Sequence, residues 1–117
     1  MASSRELALV LILSACGGAA PKEAAAGCPP DSYLDYRNFG APFLRSWCTG
    51  CHSSELTGDA RAGAPIGVDL DTRAGALAHL DGIKRRAAVE LPTMPPRGAP
   101  GADERALLNE WLSCGAP

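Results

Sequence analysis

The stretch RSWCTGCHSSE, residues 45–55, decides how this chain is interpreted. In it Cys48 and Cys51 are separated by two residues, and His52 follows directly. A CxxC pair occurs in zinc sites, in redox-active dithiols and at points of covalent haem attachment. The pair alone does not distinguish these three kinds of site, so the rest of the chain has to.

The composition indicates one small domain with little material for a core. The chain has 117 residues, 13 Gly, 10 Pro and only two each of Phe, Trp and Tyr. A domain of this size is marginally stable unless a cofactor or a disulfide supplements its core. The net charge is −2 and no face is densely basic, which excludes a nucleic-acid-binding protein.

The N-terminus has the pattern of an export signal. Residues 1–15, MASSRELALVLILSA, contain one Arg before an apolar run that is too short to span a bilayer. The sequence LSAC at 13–16 resembles the lipobox of bacterial lipoprotein signals. That resemblance implies cleavage before Cys16 and lipidation of Cys16; the alternative is an ordinary secretory signal with a chance cysteine.

The next stretch suits a tether. Residues 16–30 are small, polar and rich in Gly, Ala and Pro, so we expect a lipidated Cys16 followed by a flexible linker. The lipoprotein resemblance implies a periplasm-facing protein that is lipid-anchored in the bacterial cell envelope. In the bacterial systems that this signal resembles, a residue other than Asp after the lipidated Cys favours the outer membrane, and here that residue is Gly17.

The remaining cysteines predict a disulfide. The chain has five cysteines. If Cys16 carries lipid and the CxxC pair holds a cofactor, Cys28 and Cys114 remain, one at each end of the folded region. Thiols of exported proteins tend to pair, and a bridge that closes a long loop is strongly stabilising in the chain-entropy model. The alternative is that one or both are buried free cysteines.

Haem attachment explains more of the CTGCH motif than zinc or dithiol chemistry does. A zinc site needs four ligands, and only three scattered residues could complete one: Cys28, His79 and Cys114. A thioredoxin-like dithiol needs a βαβ pattern, and no strand precedes the motif. In haem attachment Cys48 and Cys51 form thioethers and His52 ligates the iron. Export agrees with this interpretation, since bacterial c-type maturation takes place outside the cytoplasm. The prediction is one covalent haem c.

A second axial ligand is available in ELPTMPPRG, residues 90–98. Met94 stands there among prolines that fix the backbone and exclude a helix. A thioether on a stiff segment suits iron ligation, so Met94 is the predicted sixth ligand. The alternatives are Met94 as apolar filler, His79 as a rival ligand, or an open site.

Together these motifs resemble a class I c-type cytochrome, in a small bacterial lipoprotein form, over residues 31–117. The resemblance implies an all-α domain wrapped around one covalent haem. In that family a Gly and a bulky residue, usually aromatic, stand eight and four positions before the first Cys; here they are Gly40 and Leu44. The Gly allows the C-terminal helix to cross closely. A Pro after the motif, here Pro65, would offer its carbonyl to His52.

Two further helices follow from apolar periodicity. Residues 71–90 have a stripe at helical spacing and a cap at Asp71 or Thr72; the stripe is Leu77, Leu80, Ile83 and Ala87. Residues 102–115 form an amphipathic helix with one apolar face, and that face is Leu107, Leu108, Trp111 and Leu112. Trp111 stands where the family has a C-terminal aromatic residue.

The expected function is single-electron transfer between redox proteins of the envelope, without enzymatic activity. No nucleophile, general base or pocket for a small-molecule substrate is visible in the sequence. Two alternatives stay open: a haem protein with an open site, for gas sensing or peroxidase-like chemistry, and a non-redox lipoprotein in which haem is structural.

Overall fold

The structure is a computed structural model that describes residues 26–117. The predicted signal peptide and the lipidation site Cys16 lie outside these residues. The described part is helical, without strands, which confirms the all-α prediction. Its elements are a π-helical turn Tyr36–Gly40, α1 Ala41–Trp47, a 3₁₀ turn Gly58–Arg61, α2 Arg73–Ala78, α3 Leu80–Ala87 and α4 Ala102–Ser113. None of the helices in residues 26–117 has the length and apolarity needed to cross a bilayer.

The π-helical turn and α1 form one continuous rod that leads into the CTGCH motif. Asp35 begins it: its Oδ1 accepts the backbone N–H groups of Arg37 and Asn38, both at 2.7 Å. The Asn38 side chain accepts the N–H of Asp35 at 2.8 Å, which completes a capping box. Pro42 lies in the first turn of α1, where its missing N–H costs nothing.

The core forms where this rod meets α4. Trp111 is completely buried, and a Cβ on Gly40 would overlap its indole ring. The ring of Phe39 lies 6.1 Å from that of Trp111 at 60°. Leu44 is also buried in this cluster. The close helix crossing that was predicted at Gly40 is therefore present.

Two details of the predicted helices were wrong. Residues 73–87 are not one helix: α2 ends at Ala78 and α3 begins at Leu80, because His79 leaves helical geometry at φ −123°, ψ 18°. Of the two predicted caps, Thr72 is the one present, and its hydroxyl accepts the N–H of Gly75 at 3.0 Å. In α4, Leu107 is 38 % exposed and lies off the buried face of Leu108, Trp111 and Leu112.

A disulfide joins the two ends of the described chain. Cys28 and Cys114 are bridged across 86 residues, with their Cα atoms 4.8 Å apart. Nearby, the N–H of Tyr36 donates to the carbonyl of Pro117 at 2.6 Å. The segment before the first helix is thus tied to the end of α4.

Gly40→Ala is expected to destabilise the protein by about 1–3 kcal/mol, because the added methyl group overpacks the contact with Trp111. Urea unfolding followed by circular dichroism measures the loss. Gly82→Ala is the matched control: Gly82 lies within α3 and a Cβ there meets nothing within 4 Å. Equal stability of the two variants would contradict the close crossing.

Replacing both cysteines of the bridge, as Cys28→Ser with Cys114→Ser, is expected to lower the free energy of unfolding by about 2–5 kcal/mol. The cause is the entropy that the unfolded chain regains when the 86-residue link is removed. Unfolding of the wild type with and without a reducing agent should give the same difference. If reduction left the unfolding midpoint unchanged, the bridge would not constrain the chain.

Candidate functional site

The CTGCH motif continues α1 as a tight turn. Cys48 ends α1, its N–H donating to the carbonyl of Leu44 at 2.8 Å. The carbonyl of Cys48 accepts the N–H groups of Cys51 at 3.1 Å and of His52 at 2.9 Å. The three side chains of Cys48, Cys51 and His52 are all half-buried. The helix therefore delivers two thiols and an imidazole to one short stretch of chain.

The imidazole of His52 is held on one side only. Its Nδ1 lies 3.0 Å from the carbonyl oxygen of Val68. A carbonyl can only accept, so Nδ1 carries a proton, and in the neutral imidazole the lone pair is then on Nε2. Within residues 26–117 no hydrogen bond reaches Nε2. This is the tautomer that a histidine needs in order to ligate a metal through Nε2.

Backbone bonds fix His52 in the same orientation. Its N–H donates to Cys48, and its carbonyl accepts the N–H of Leu70 at 2.9 Å. Residues 68–70 thus contact His52 at both its ring and its backbone. Rotation of the imidazole would break its bond to Val68.

The predicted role of Pro65 is corrected by these contacts. The carbonyl of Pro65 does not reach His52; it accepts from Nη2 of Arg61 at 2.8 Å. Val68, three residues further along, supplies the carbonyl that holds His52. In this loop the Pro65 carbonyl is directed to the buried guanidinium of Arg61, and the Val68 carbonyl is directed to both Arg61 and His52.

Arg61 is the centre of this loop. It ends the 3₁₀ turn, is only 4 % exposed, and its Nη2 forms a salt bridge with Oδ1 of Asp69 at 2.8 Å. The guanidinium also donates to five backbone carbonyls, which are those of Ser53, Leu56, Ala64, Pro65 and Val68. One buried cation therefore organises residues 53–69 around itself.

Two serines after the motif contact Asp71. The Ser54 hydroxyl donates to Oδ2 of Asp71 at 2.6 Å, and the Ser53 hydroxyl contacts the same oxygen at 3.4 Å. The N–H of Ser54 donates to Oδ1 at 3.3 Å. The side-chain hydrogen bond from Ser54 is the main reason that the pKa of Asp71 lies below its ordinary value. These bonds clamp the chain after His52 to the chain after Leu70.

Cys48 and Cys51 are free thiols in this fold. Burial raises the pKa of the Cys48 thiol to about 11. A redox-active dithiol has a lowered pKa on its nucleophilic cysteine. The electrostatics of Cys48 are thus opposite to those of a thioredoxin-like site.

Met94 lies in the irregular segment between α3 and α4. The N–H groups of Thr93 and Met94 both donate to the carbonyl of Arg86, at 2.9 and 3.0 Å. Met94 is half-buried and packs against the hydrophobic core, as Cys48 also does. The structure therefore brings the predicted sixth ligand and one attachment cysteine to the border of the same core.

His79, the rival ligand, is engaged elsewhere. It lies at the break between α2 and α3, and its Nε2 is 3.1 Å from the carbonyl of Gly67. Since that carbonyl accepts, Nε2 of His79 carries a proton and holds the loop that also holds His52. Among residues 26–117 no three His, Cys, Asp or Glu side chains converge as a metal-binding group.

Two large apolar side chains near the site are almost fully exposed. Ile66 is 91 % exposed and follows Pro65 in the loop of Arg61; Leu91 is 87 % exposed and precedes Met94 by three residues. Ile66 lies in the loop whose Val68 carbonyl binds His52, and Leu91 lies in the segment that carries Met94. Singly exposed apolar residues are ordinary in folded proteins.

No known protein family, curated protein or solved structure matches this chain.

Sequence reasoning missed Arg61 and Val68. In the sequence Arg61 is one charged residue in a loop rich in Gly and Ala, and such residues are usually solvated. Val68 acts through its backbone, so its side chain carries no signal. The one available sign was Asp69, an acidic residue in the same short loop that could pair with a buried Arg61.

Asp71→Asn is expected to destabilise the protein at neutral pH, because the carboxylate loses its bonds to Ser54. The pKa of Asp71 is lower in the folded chain than its ordinary value of 3.8, so the stabilisation is present above that value. It is lost as the pH falls through the folded pKa. Denaturant midpoints of wild type and variant should therefore differ most at neutral pH and converge as the pH falls below 3.8.

Ser54→Ala provides the matched test, since it removes the hydroxyl that contacts Asp71. The effects of Ser54→Ala and Asp71→Asn should be smaller in combination than their sum, because both break one interaction. Strict additivity of the two effects would show that the bond between Ser54 and Asp71 contributes nothing to stability.

Proposed function

We propose that this chain is a monohaem c-type cytochrome that carries single electrons between redox proteins of a bacterial cell envelope. Cys48 and Cys51 would hold the haem through thioethers, and His52 and Met94 would ligate its iron. Cys16 would tether the protein to the membrane, with the outer membrane favoured. When bound, the haem supplies reversible one-electron transfer, and a His–Met ligand pair raises its potential.

The observation that carries this proposal is the state of His52. Its Nδ1–H donates to the carbonyl of Val68 at 3.0 Å, its backbone N–H and carbonyl are both bonded, and within residues 26–117 no hydrogen bond reaches its Nε2. A histidine held in this way immediately after two free half-buried thiols is what covalent haem attachment requires. A solvated surface histidine needs none of these restraints.

The other residues of the site also fit a haem. The exposed apolar side chains of Ile66 and Leu91 offer apolar surface to a large flat cofactor. Met94 and Cys48 both border the core, as a ligand and an attachment point of one cofactor would. The donor set is also suitable, because the porphyrin leaves only two axial positions for protein atoms. A protein-only zinc site is disfavoured, since Cys28 and Cys114 are consumed by their disulfide.

The protein's own residues would hold the site rather than turn over. Val68 orients His52, and the bonds from Thr93 and Met94 to Arg86 anchor the segment that carries the thioether. His79 is committed to Gly67 at 3.1 Å, which favours Met94 over His79 as the sixth ligand. Partners would be envelope redox proteins that bind through small, transient contacts.

The test is the visible spectrum of the protein produced with c-type maturation, in the oxidised and reduced states. We expect a covalent haem c spectrum, the weak red-edge band of a Met–Fe(III) bond, and resistance of the reduced protein to carbon monoxide. Met94→Ala should keep the covalent haem, lose the red-edge band and bind carbon monoxide, because the sixth position is then free.

His79→Ala is the matched control and should leave the red-edge band in place. Loss of the band in His79→Ala, or carbon monoxide binding by the wild type, would replace the His–Met carrier with a bis-His or open-site haem protein. A chain that holds no covalent haem after maturation would overturn the proposal altogether. An envelope redox activity unaffected by Met94→Ala would favour a structural haem.

A further inference from the structure

Arg61 is a buried cation that has no part in the proposed ligand set. It is 4 % exposed, while the side chain of its ion-pair partner Asp69 is 27 % exposed. Burying a guanidinium is costly unless its N–H groups are satisfied, and here carbonyl groups satisfy most of them. An apolar residue of the same volume would leave these carbonyl oxygens without donors. The arrangement therefore indicates a task that an apolar residue cannot perform.

The contacts of Arg61 decide which carbonyl reaches His52. Nη2 of Arg61 is 2.8 Å from the Pro65 carbonyl and 2.8 Å from Oδ1 of Asp69. It is 3.3 Å from the Val68 carbonyl, the same oxygen that accepts Nδ1–H of His52 at 3.0 Å. Nη2 has two N–H groups for three acceptors, so Val68 receives a shared bond. The Pro65 carbonyl binds Arg61 and not His52. The Val68 carbonyl binds His52 while it also accepts a weaker bond from Arg61.

We propose that Arg61 is a positioning residue for His52, which selects Val68 as the acceptor for Nδ1–H, limits the strength of that acceptor and thereby raises the potential of the haem. This inference rests on the proposed function, because it assigns Arg61 an effect on the cofactor that His52 would hold.

The physical reason is the competition for one oxygen. A carbonyl that accepts from a guanidinium donates less electron density to a second donor, so Nδ1–H of His52 is less polarised. The imidazole is then a weaker electron donor through Nε2 and stabilises the ferric state less. Asp69 acts in the opposite sense: its carboxylate draws the guanidinium away from Val68 and adds a negative charge to the loop.

Three variants separate this role from simple packing: Arg61→Met, Asp69→Asn and the two combined. The measurement is the midpoint potential of the full chain produced with c-type maturation. Arg61→Met should lower the ferrous-to-ferric ratio at a fixed applied potential about tenfold, which is about 59 mV for one electron. Asp69→Asn should raise the ratio, because Arg61 then binds the carbonyls without its counter-charge.

The combined variant isolates the hydrogen bond from the charge. Arg61→Met together with Asp69→Asn removes one positive and one negative charge, so the net charge of the loop is unchanged. A ratio still below that of the wild type then reports the lost donor to Val68. Asp59→Asn, which removes an exposed carboxylate from the same loop, is the matched control and should change the ratio less than Asp69→Asn does.

The Nδ1–H signal of His52 gives a second readout, by ¹H–¹⁵N NMR of the diamagnetic ferrous protein. It should move downfield in Arg61→Met, where the Val68 carbonyl accepts more strongly, and upfield in Asp69→Asn. A residue that only fills space would not move this signal in opposite directions in the two variants.

The outcomes are distinct. Shifts of opposite sign in the two single variants, with the combined variant below the wild type, uphold the proposal. Shifts of one sign, or a combined variant equal to the wild type, overturn it while the cytochrome function stands. If the variants at Arg61 do not hold haem, the Nδ1–H signal of His52 in Asp69→Asn decides: an upfield shift that Asp59→Asn does not show upholds the proposal, and its absence refutes it. A wild type without covalent haem refutes both the function and this inference.

Discussion

The packing of the Trp111 indole against Gly40 is the contact on which the rest of the structure depends. It fixes the rod of the π-helical turn and α1 against α4, and the rod ends at Cys48. The direction of α1 therefore sets where the CTGCH turn lies on the core. The disulfide from Cys28 to Cys114 adds a covalent restraint at the end of α4. A domain with so little apolar volume needs both, since its core alone stabilises it only marginally.

The loop after the motif is held by a different kind of interaction. Residues 53–69 contribute few apolar side chains to the core, and their carbonyls converge on the guanidinium of Arg61 instead. A planar fork with five N–H donors can fix several backbone oxygens at once, whereas a Lys ammonium cannot. The loop thereby reaches a defined shape without an apolar interior. That shape is what presents the Val68 carbonyl to His52.

Features that depend on side-chain type could be predicted from the sequence, whereas features that depend on backbone groups or tertiary contacts could not. The close crossing at Gly40 and the all-α class were predicted from the resemblance to class I c-type cytochromes, and the apolar periodicity of residues 102–115 agreed with them. The acceptor for His52 could not be predicted, because every residue has a backbone carbonyl. Only the tertiary structure shows that the Pro65 carbonyl binds Arg61 and not His52. The break at His79 was missed for a similar reason: its ring bonds to Gly67, twelve residues earlier, and that tertiary contact overrides local helix periodicity.

The exposed side chains and the restrained histidine support one conclusion together more strongly than either does alone. Ile66, at 91 % exposure, lies in the loop that orients His52, and Leu91, at 87 %, lies in the segment that carries Met94. A chain this poor in large apolar residues gains nothing from leaving two of them in water. Each costs about 1.5–3 kcal/mol of burial that the fold forgoes. Under the proposed function a haem would cover apolar side chains of this kind, and its iron would be bound through Nε2 of His52, whose Nδ1–H donates to Val68.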